Sequence, residues 1–236
     1  MGTEQVFRGR IGITYQDSEP DWPSSTPSPD NSSPNVLIIL LDDTGFGNLG
    51  CYGSTIETPN IDALAENGLR YNNFHVTPLC SPTRAALLTG RNHHSVGMAN
   101  VAGYGDTGFP NHRSLLSQHA ATLAEMLREE GYANFALGKW HLNPKEHNSA
   151  AGPHYGWPVQ RGFDRFYGFL PGATNQFYPE LTHDNHSAYP PKTPEEGYHL
   201  TDDLVDHAIE FVNDLKANRP ATPFFMYFAP GAMHFP

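Results

Sequence analysis

The 236-residue chain holds only two cysteines, Cys51 and Cys80, so no disulfide framework staples it. At most one bridge, Cys51–Cys80, is open to it. Basic residues are also scarce: 14 Lys and Arg stand against 25 Asp and Glu, for a net charge of −11. That deficit excludes nucleic acid or an anionic membrane surface as the main partner, since either needs a basic face. Long apolar runs are missing too. The longest, Val36 to Leu41, is flanked by Asn35 and Asp42 and is far too short to span a bilayer. Met1 to Val6 lacks the basic start and apolar stretch of a signal peptide, so a cytoplasmic product is expected. No internal repeat is visible.

What is there begins with texture. Residues 1–34 read as an extended arm, because 17–34 are dominated by Pro, Ser and Asp and cannot sustain a helix or a central strand. From residue 35 strands and helices alternate, which points to an α/β fold with a mostly parallel central sheet and helices on both faces. The aliphatic run 35–41 predicts a strand covered on both sides. A helix is expected over 58–68, with Thr58 as cap, Pro59 in the first turn and Gly68 as stop. A strand is expected over 69–76 and a helix just after Cys80. Further helices are predicted at 122–130 and 201–217, and further strands at 134–137 and 224–228. Residues 144–200, rich in Pro, Gly, His and aromatics, read as a long lid-like insertion.

The chemistry-bearing residues fall after predicted strands: Asp42 and Asp43, then Cys80, then Lys139 and His141, then His234. The carboxyl ends of parallel strands line one crevice, so groups distant in sequence can meet there. Two adjacent aspartates repel unless a cation bridges them, and oxygen donors favour Ca²⁺ or Mg²⁺. Taken alone, an Asp-Asp pair is as well read as a solvated turn, Cys80 as a small buried hydrophobe, and Lys139 as a surface strand end. Against the bland reading of Cys80 stand Pro82, Arg84 and the helix start, all of which favour an anion at residue 80. Of thirteen histidines, only His141 and His234 stand at such places, while His75 leads toward Cys80 without an assigned role.

Leu79-Cys80-Ser81-Pro82-Thr83-Arg84 resembles the signature of the sulfatases, in which the cysteine of Cys-x-Pro-x-Arg becomes formylglycine. Asp42-Asp43 followed by Gly-x-Gly-x-x-Gly-Cys-Tyr-Gly, Gly138-Lys139-Trp140-His141, and Arg161 to Gly168 resemble further segments of that family. The resemblance runs from about Pro34 to the C-terminus and implies a sulfatase/alkaline phosphatase-like fold. It implies hydrolysis of small-molecule sulfate esters by a formylglycine hydrate made from Cys80 by a formylglycine-generating enzyme. Asp42, Asp43 and residue 80 would bind the divalent metal, Ca²⁺ or Mg²⁺. Arg84 would support residue 80, Lys139 would contact it and the sulfate, His141 would assist deprotonation, and His234 would protonate the departing alcohol. The same superfamily also contains phosphonate and phosphate ester hydrolases, and a non-catalytic remnant is a third reading. Sulfatases continue beyond the equivalent of Pro236 with more metal ligands, a further lysine and a smaller subdomain. The chain is therefore expected to be an N-terminal piece, with the sheet incomplete at the C-terminus. Tyr155, Trp157, Phe166, Tyr167, Phe177 and Tyr178 are candidates to stack on an aryl group.

Overall fold

A computed structural model describes residues 6–22 and 33–236. The Pro/Ser-rich heart of the expected arm, 23–32, and residues 1–5 lie outside the described residues. Within 6–22, an isolated antiparallel bridge joins Arg10 to Glu19 around a short turn at Tyr15–Asp17. No described helix is long and apolar enough to cross a membrane.

Six strands form one sheet in the order β1-β6-β2-β3-β4-β5. They are β1 (Val36–Ile39), β2 (Ala133–Lys139), β3 (Arg165–Phe169), β4 (Leu181–His183), β5 (His186–Ala188) and β6 (Phe224–Ala229). β1, β6, β2 and β3 run parallel, and β4 and β5 add an antiparallel margin. Alternation along the strands feeds two cores. Ala136, Phe166, Phe225 and Tyr227 face one, where α2 (Cys80–Thr89) and α3 (Leu123–Glu129) pack with Ala85, Leu88 and Ala124. Phe135, Leu137, Tyr167 and Met226 face the other, covered by Leu204, Phe211 and Leu215 of α4 (Leu200–Asn218). The helices on both faces are those the α/β reading expects.

Local chemistry accounts for the helix ends. Thr122 and Glu125 form a reciprocal capping box on α3, with Thr122 Oγ1 accepting from the Glu125 N–H at 3.0 Å. Gly90 at φ 65° closes α2 in the left-handed conformation. α1 (Pro59–Asn67) forms as expected with Pro59 in its first turn, although none of its residues is buried. α4 begins one residue earlier than its sequence suggests, capped by His199 Nδ1 accepting from the Thr201 N–H instead of by Thr201.

Three expectations fail. Residues 69–76 form no strand: Leu69, Tyr71, Phe74 and Val76 stay exposed, because no sheet edge reaches them to pair their backbone. Cys80 is thus approached from an irregular segment. β1 is not covered on both faces either. Val36 and Ile38 pack on the first core, while Leu37 and Ile39 are about half exposed at the sheet edge. Within 144–200, β3 is an integral buried strand, and β4 and β5 extend the sheet from it.

Candidate functional site

β1, β2 and β6 are parallel, so their carboxyl ends open on one rim of the sheet, and the chain leaves each of them through a residue singled out by sequence. Asp42 and Asp43 follow β1, with Asp43 in the left-handed region at φ 53°. Lys139 ends β2 and His141 lies two residues on, also at φ 53°. At Gly138, φ is 88° and a Cβ would run into the carbonyl of Ala229 on β6, so only glycine allows β2 to bend there before Lys139. Cys80 is the first residue of α2. The hydroxyl of Thr77 in the approaching segment meets that of Thr83 at 2.7 Å, tying the segment to the first turn of the helix.

Arg84, one turn after Cys80, is the hub. Its guanidinium donates to Asp42 Oδ2 at 3.0 Å, to the Lys139 carbonyl at 2.8 Å and to Tyr227 Oη at 2.9 Å. Lys139 Nζ donates to the same Asp42 Oδ2 at 2.6 Å. Arg84 and Lys139 are each only 1 % exposed, so two buried cations converge on one carboxylate. Burial alone would raise the Asp42 pKa, but the charges of Arg84 and Lys139 and the lysine hydrogen bond outweigh it, and the carboxyl is held below its ordinary range. The surroundings of Asp42 therefore carry surplus positive charge, to which the amino end of α2 at residue 80 adds.

Cys80 Sγ lies 3.2 Å from His141 Nδ1. The His141 ring is buried, and its Nε2 faces the carbonyl of Ala102 at 3.3 Å. Burial, and then the charges of Lys139 and Arg84, pull its pKa down to about 3, so the imidazole is neutral around neutral pH. The Ala102 N–H in turn donates to Ser81 Oγ at 3.0 Å. A Cβ at Gly172 would lie 2.5 Å from His141 Cε1, so glycine makes the room for the ring on that side. His234, just beyond β6, places Nε2 3.9 Å from Asp43 Oδ2 at the open side of the group.

The seven sequence-selected residues thus gather at one rim, with two differences in detail. Lys139 pairs with Asp42, and Arg84 spans Asp42, the end of β2 and Tyr227, where both were expected at residue 80 itself. Both cysteines are free thiols, so the Cys51–Cys80 bridge is absent. His75 is exposed and contacts Asn73 instead of the site. Of the aromatic candidates, Trp157, Phe166 and Tyr167 are core side chains, no more than 2 % exposed and unable to stack on a ligand. Tyr155, Phe177 and Tyr178 are open to solvent. Tyr227 escaped the sequence reading because its strand, Phe224–Ala229, reads as uniformly apolar. The only signal was a phenol in an otherwise apolar strand, which demands a polar partner once buried. Ala102 acts through its backbone carbonyl and left no sequence signal.

As a cation site, Asp42 and Asp43 offer hard oxygen donors of the type Ca²⁺ or Mg²⁺ takes. Among the described residues no group of three or more His, Cys, Asp or Glu side chains is disposed to hold a metal. The fit is thus one of donor type, with part of a coordination shell.

Residues 34–236 match the family model described as Sulfatase. Human arylsulfatase A is 35 % identical over 227 residues, covering 86 % of this chain and 42 % of that protein. The arylsulfatase of Klebsiella aerogenes is 30 % identical over 209 residues, covering 86 % of this chain and 43 % of its own length. The crystal structure of Ps i-CgsB in complex with k-i-k-neocarrahexaose superposes with a TM-score of 0.69 at 33 % identity, over 86 % of this chain and 46 % of that one. The chain thus spans less than half the length of these relatives.

Proposed function

The chain belongs to the sulfatase family, and from that premise we propose that it carries the nucleophile-bearing part of a sulfuric ester hydrolase centred on Cys80. The observation that supports this most is the placement of Cys80 at the amino end of α2, 3.2 Å from His141, beside the Asp42–Arg84–Lys139 cluster. Converted to formylglycine, residue 80 would supply a hydrated aldehyde, one of whose hydroxyls attacks sulfur while the other allows sulfate to be expelled. Asp42 and Asp43, with residue 80, would hold a Ca²⁺ or Mg²⁺ ion that offsets charge on the sulfuryl oxygens.

The remaining roles belong to the side chains themselves. Arg84 and Lys139 keep the rim positive toward a sulfate, and both are fixed in place by Asp42 before any substrate arrives. Because these cations are buried and already oriented, little reorganisation is needed as negative charge grows. His141, neutral and touching residue 80, can take a proton from it. His234, on the open side, is suited to hand a proton to the departing alcohol. The Ps i-CgsB crystal contains k-i-k-neocarrahexaose. A sulfated sugar is therefore a fitting candidate ester, alongside the aryl sulfates suggested by the arylsulfatase relatives.

The test is mass spectrometry of the peptide containing residue 80 after co-expression with a formylglycine-generating enzyme. Replacement of the CH₂SH group by CHO supports the reading, and an unmodified thiol under those conditions rejects it. Parallel assays with aryl sulfates, sulfated sugars and phosphonate esters then separate a sulfatase from a phosphorus-ester hydrolase of the same superfamily.

A further inference from the structure

We propose that His183 is an acid-sensitive latch: as a neutral ring it holds the Arg165 guanidinium against the β4–β5 hairpin, and on protonation it drives that guanidinium off and loosens the hairpin from β3. Arg165 opens β3, at the end of the strand away from the Cys80 rim, so the device stands independently of the functional reading above.

The Arg165 guanidinium bridges the last residue of β4 and the turn that follows it. Its Nη2 lies 2.6 Å from His183 Nε2, and its Nε donates to Asp184 Oδ2 at 3.1 Å. A guanidinium only donates, so His183 Nε2 accepts and the ring hydrogen sits on Nδ1. Protonation turns Nε2 into a donor, and two cations then meet with no lone pair between them. Few other ties join β4 to β3. There are two register pairs, Tyr167↔His183 and Gly168↔Thr182, and two hydrogen bonds exchanged by Asp184 and Phe166.

The His183 ring is faced by Arg165 and Tyr167 from β3, by His207, Glu210 and Phe211 from α4, by Asp184 from its own turn and by its cross-strand partner His186 from β5. Burial, joined by the charges of Arg165 and His207, outweighs Asp184 and Glu210 and lowers the His183 pKa. In His207, whose ring centroid is 5.8 Å away, burial is outweighed by the hydrogen bonds and charge of Asp203, so that ring charges first. A histidine with a lowered folded pKa contributes stability above its unfolded value of about 6.5 and loses it as pH falls through the folded value. Once charged, His183 stands against two cations, Arg165 and His207. The displaced guanidinium has acceptors at hand: it lines a cavity of about 670 Å³ with Asp206, Glu210 and Asp214 of α4. Among the described residues its present ion pair is with Asp184 alone.

The experiment is hydrogen exchange of the whole chain, read by mass spectrometry on peptides covering 181–189 between about pH 7.5 and about pH 4.5. Each rate is referred to intrinsic exchange at the same pH and to peptides of β2. The wild type is expected to lose protection at 181–189 as pH falls below about 6.5, while β2 keeps its own. His183→Gln, whose amide oxygen accepts from Arg165 at every pH, should keep the hairpin protected throughout. His207→Gln should leave the loss in place and move its midpoint to higher pH, since one opposing cation is gone. If His183→Gln does not fold, two-bond ¹H–¹⁵N spectra of the ¹⁵N-histidine-labelled wild type carry the test. The His183 ring should then hold its hydrogen on Nδ1 at neutral pH and gain a second one over the range in which the hairpin loses protection. A ring protonated on Nε2 at neutral pH overturns the latch. So does hairpin protection that ignores pH, an equal acid loss in wild type and His183→Gln, or a loss abolished by His207→Gln.

Discussion

Lys139 Nζ and Asp42 Oδ2 lie 2.6 Å apart, joining the end of β2 to the residue group that follows β1. The lysine side chain is fully buried and that of Asp42 nearly so. Because Arg84 binds the same oxygen, Asp42 is the single anion between two cations that water cannot reach. Removing one member of such a buried arrangement leaves charge uncompensated at a cost of about 3–5 kcal/mol. Asp42→Asn should therefore destabilise the fold by an amount of that order in urea unfolding. Asp43, 64 % exposed, is the contrast: Asp43→Asn should change stability by no more than about 0.5 kcal/mol. Both substitutions should weaken Ca²⁺ or Mg²⁺ uptake by calorimetry, since each removes a carboxylate donor.

Tyr227 is fully buried on β6 and accepts from Arg84. Its phenol is pushed above the ordinary tyrosine range by burial, despite the opposing guanidinium, and it stays neutral. Tyr227→Phe removes one acceptor from a buried guanidinium whose Nε already lacks a protein partner. The expected cost is about 1–3 kcal/mol, read as a lower denaturation midpoint with an unchanged m-value.

His234 offers a kinetic test in protein that carries formylglycine. If it protonates the departing alcohol, His234→Asn should slow hydrolysis of alkyl sulfates by about 10²–10⁴-fold. Nitrophenyl sulfate, whose phenolate leaves without a proton, should be hydrolysed almost as before. Equal losses on both substrates would assign His234 a binding role instead.

A pH effect on stability should come from the opposite side of the sheet. His207 stacks on Tyr167 with ring centroids 3.6 Å apart, and its Nδ1 lies 3.1 Å from Asp203 Oδ1. Asp203 also accepts from Tyr167 and Tyr198. Burial lowers the His207 pKa, but the hydrogen bonds and charge of Asp203 outweigh it, and the net direction is upward. His183, facing the same rings and meeting Arg165 Nη2 at 2.6 Å, moves downward through burial. A raised histidine stabilises the fold fully below its unfolded pKa, and that contribution is lost as pH rises through the folded value. The difference in Tm between the wild type and His207→Gln should therefore be largest on the acid side of about pH 6.5 and shrink as the solution becomes alkaline. A difference independent of pH would leave stacking as the only role of His207.

Much of this arrangement was legible in the residues. Hydrophobic runs at 134–137 and 224–228 placed two central strands, and their ends placed Lys139, His141 and His234. Turn chemistry located α1 and α3. The misses share a cause: they depend on neighbours in space. Residues 69–76 have the apolar and aromatic content of a strand, but strand formation needs an edge to pair with, and no strand among the described residues pairs with them. Leu37 and Ile39 look like core, and they are partly open because none of the described residues covers that side of β1. Arg165 to Phe169 lay inside an apparent lid, since its two glycine-flanked aromatics resemble loop composition as much as a buried strand. Within the site, residue types were readable but pairings were not. No pattern in the chain says that Arg84 and Lys139 share one oxygen of Asp42.

The uncovered side of β1 has a practical outcome at the bench. A strand whose outer backbone groups have no neighbour among the described residues, and whose Leu37 and Ile39 side chains are half open, is a template onto which other molecules can stack. Light scattering should rise with protein concentration, and Ile39→Lys, which puts a charge on that border, should keep preparations clear without disturbing the rim where Cys80 sits.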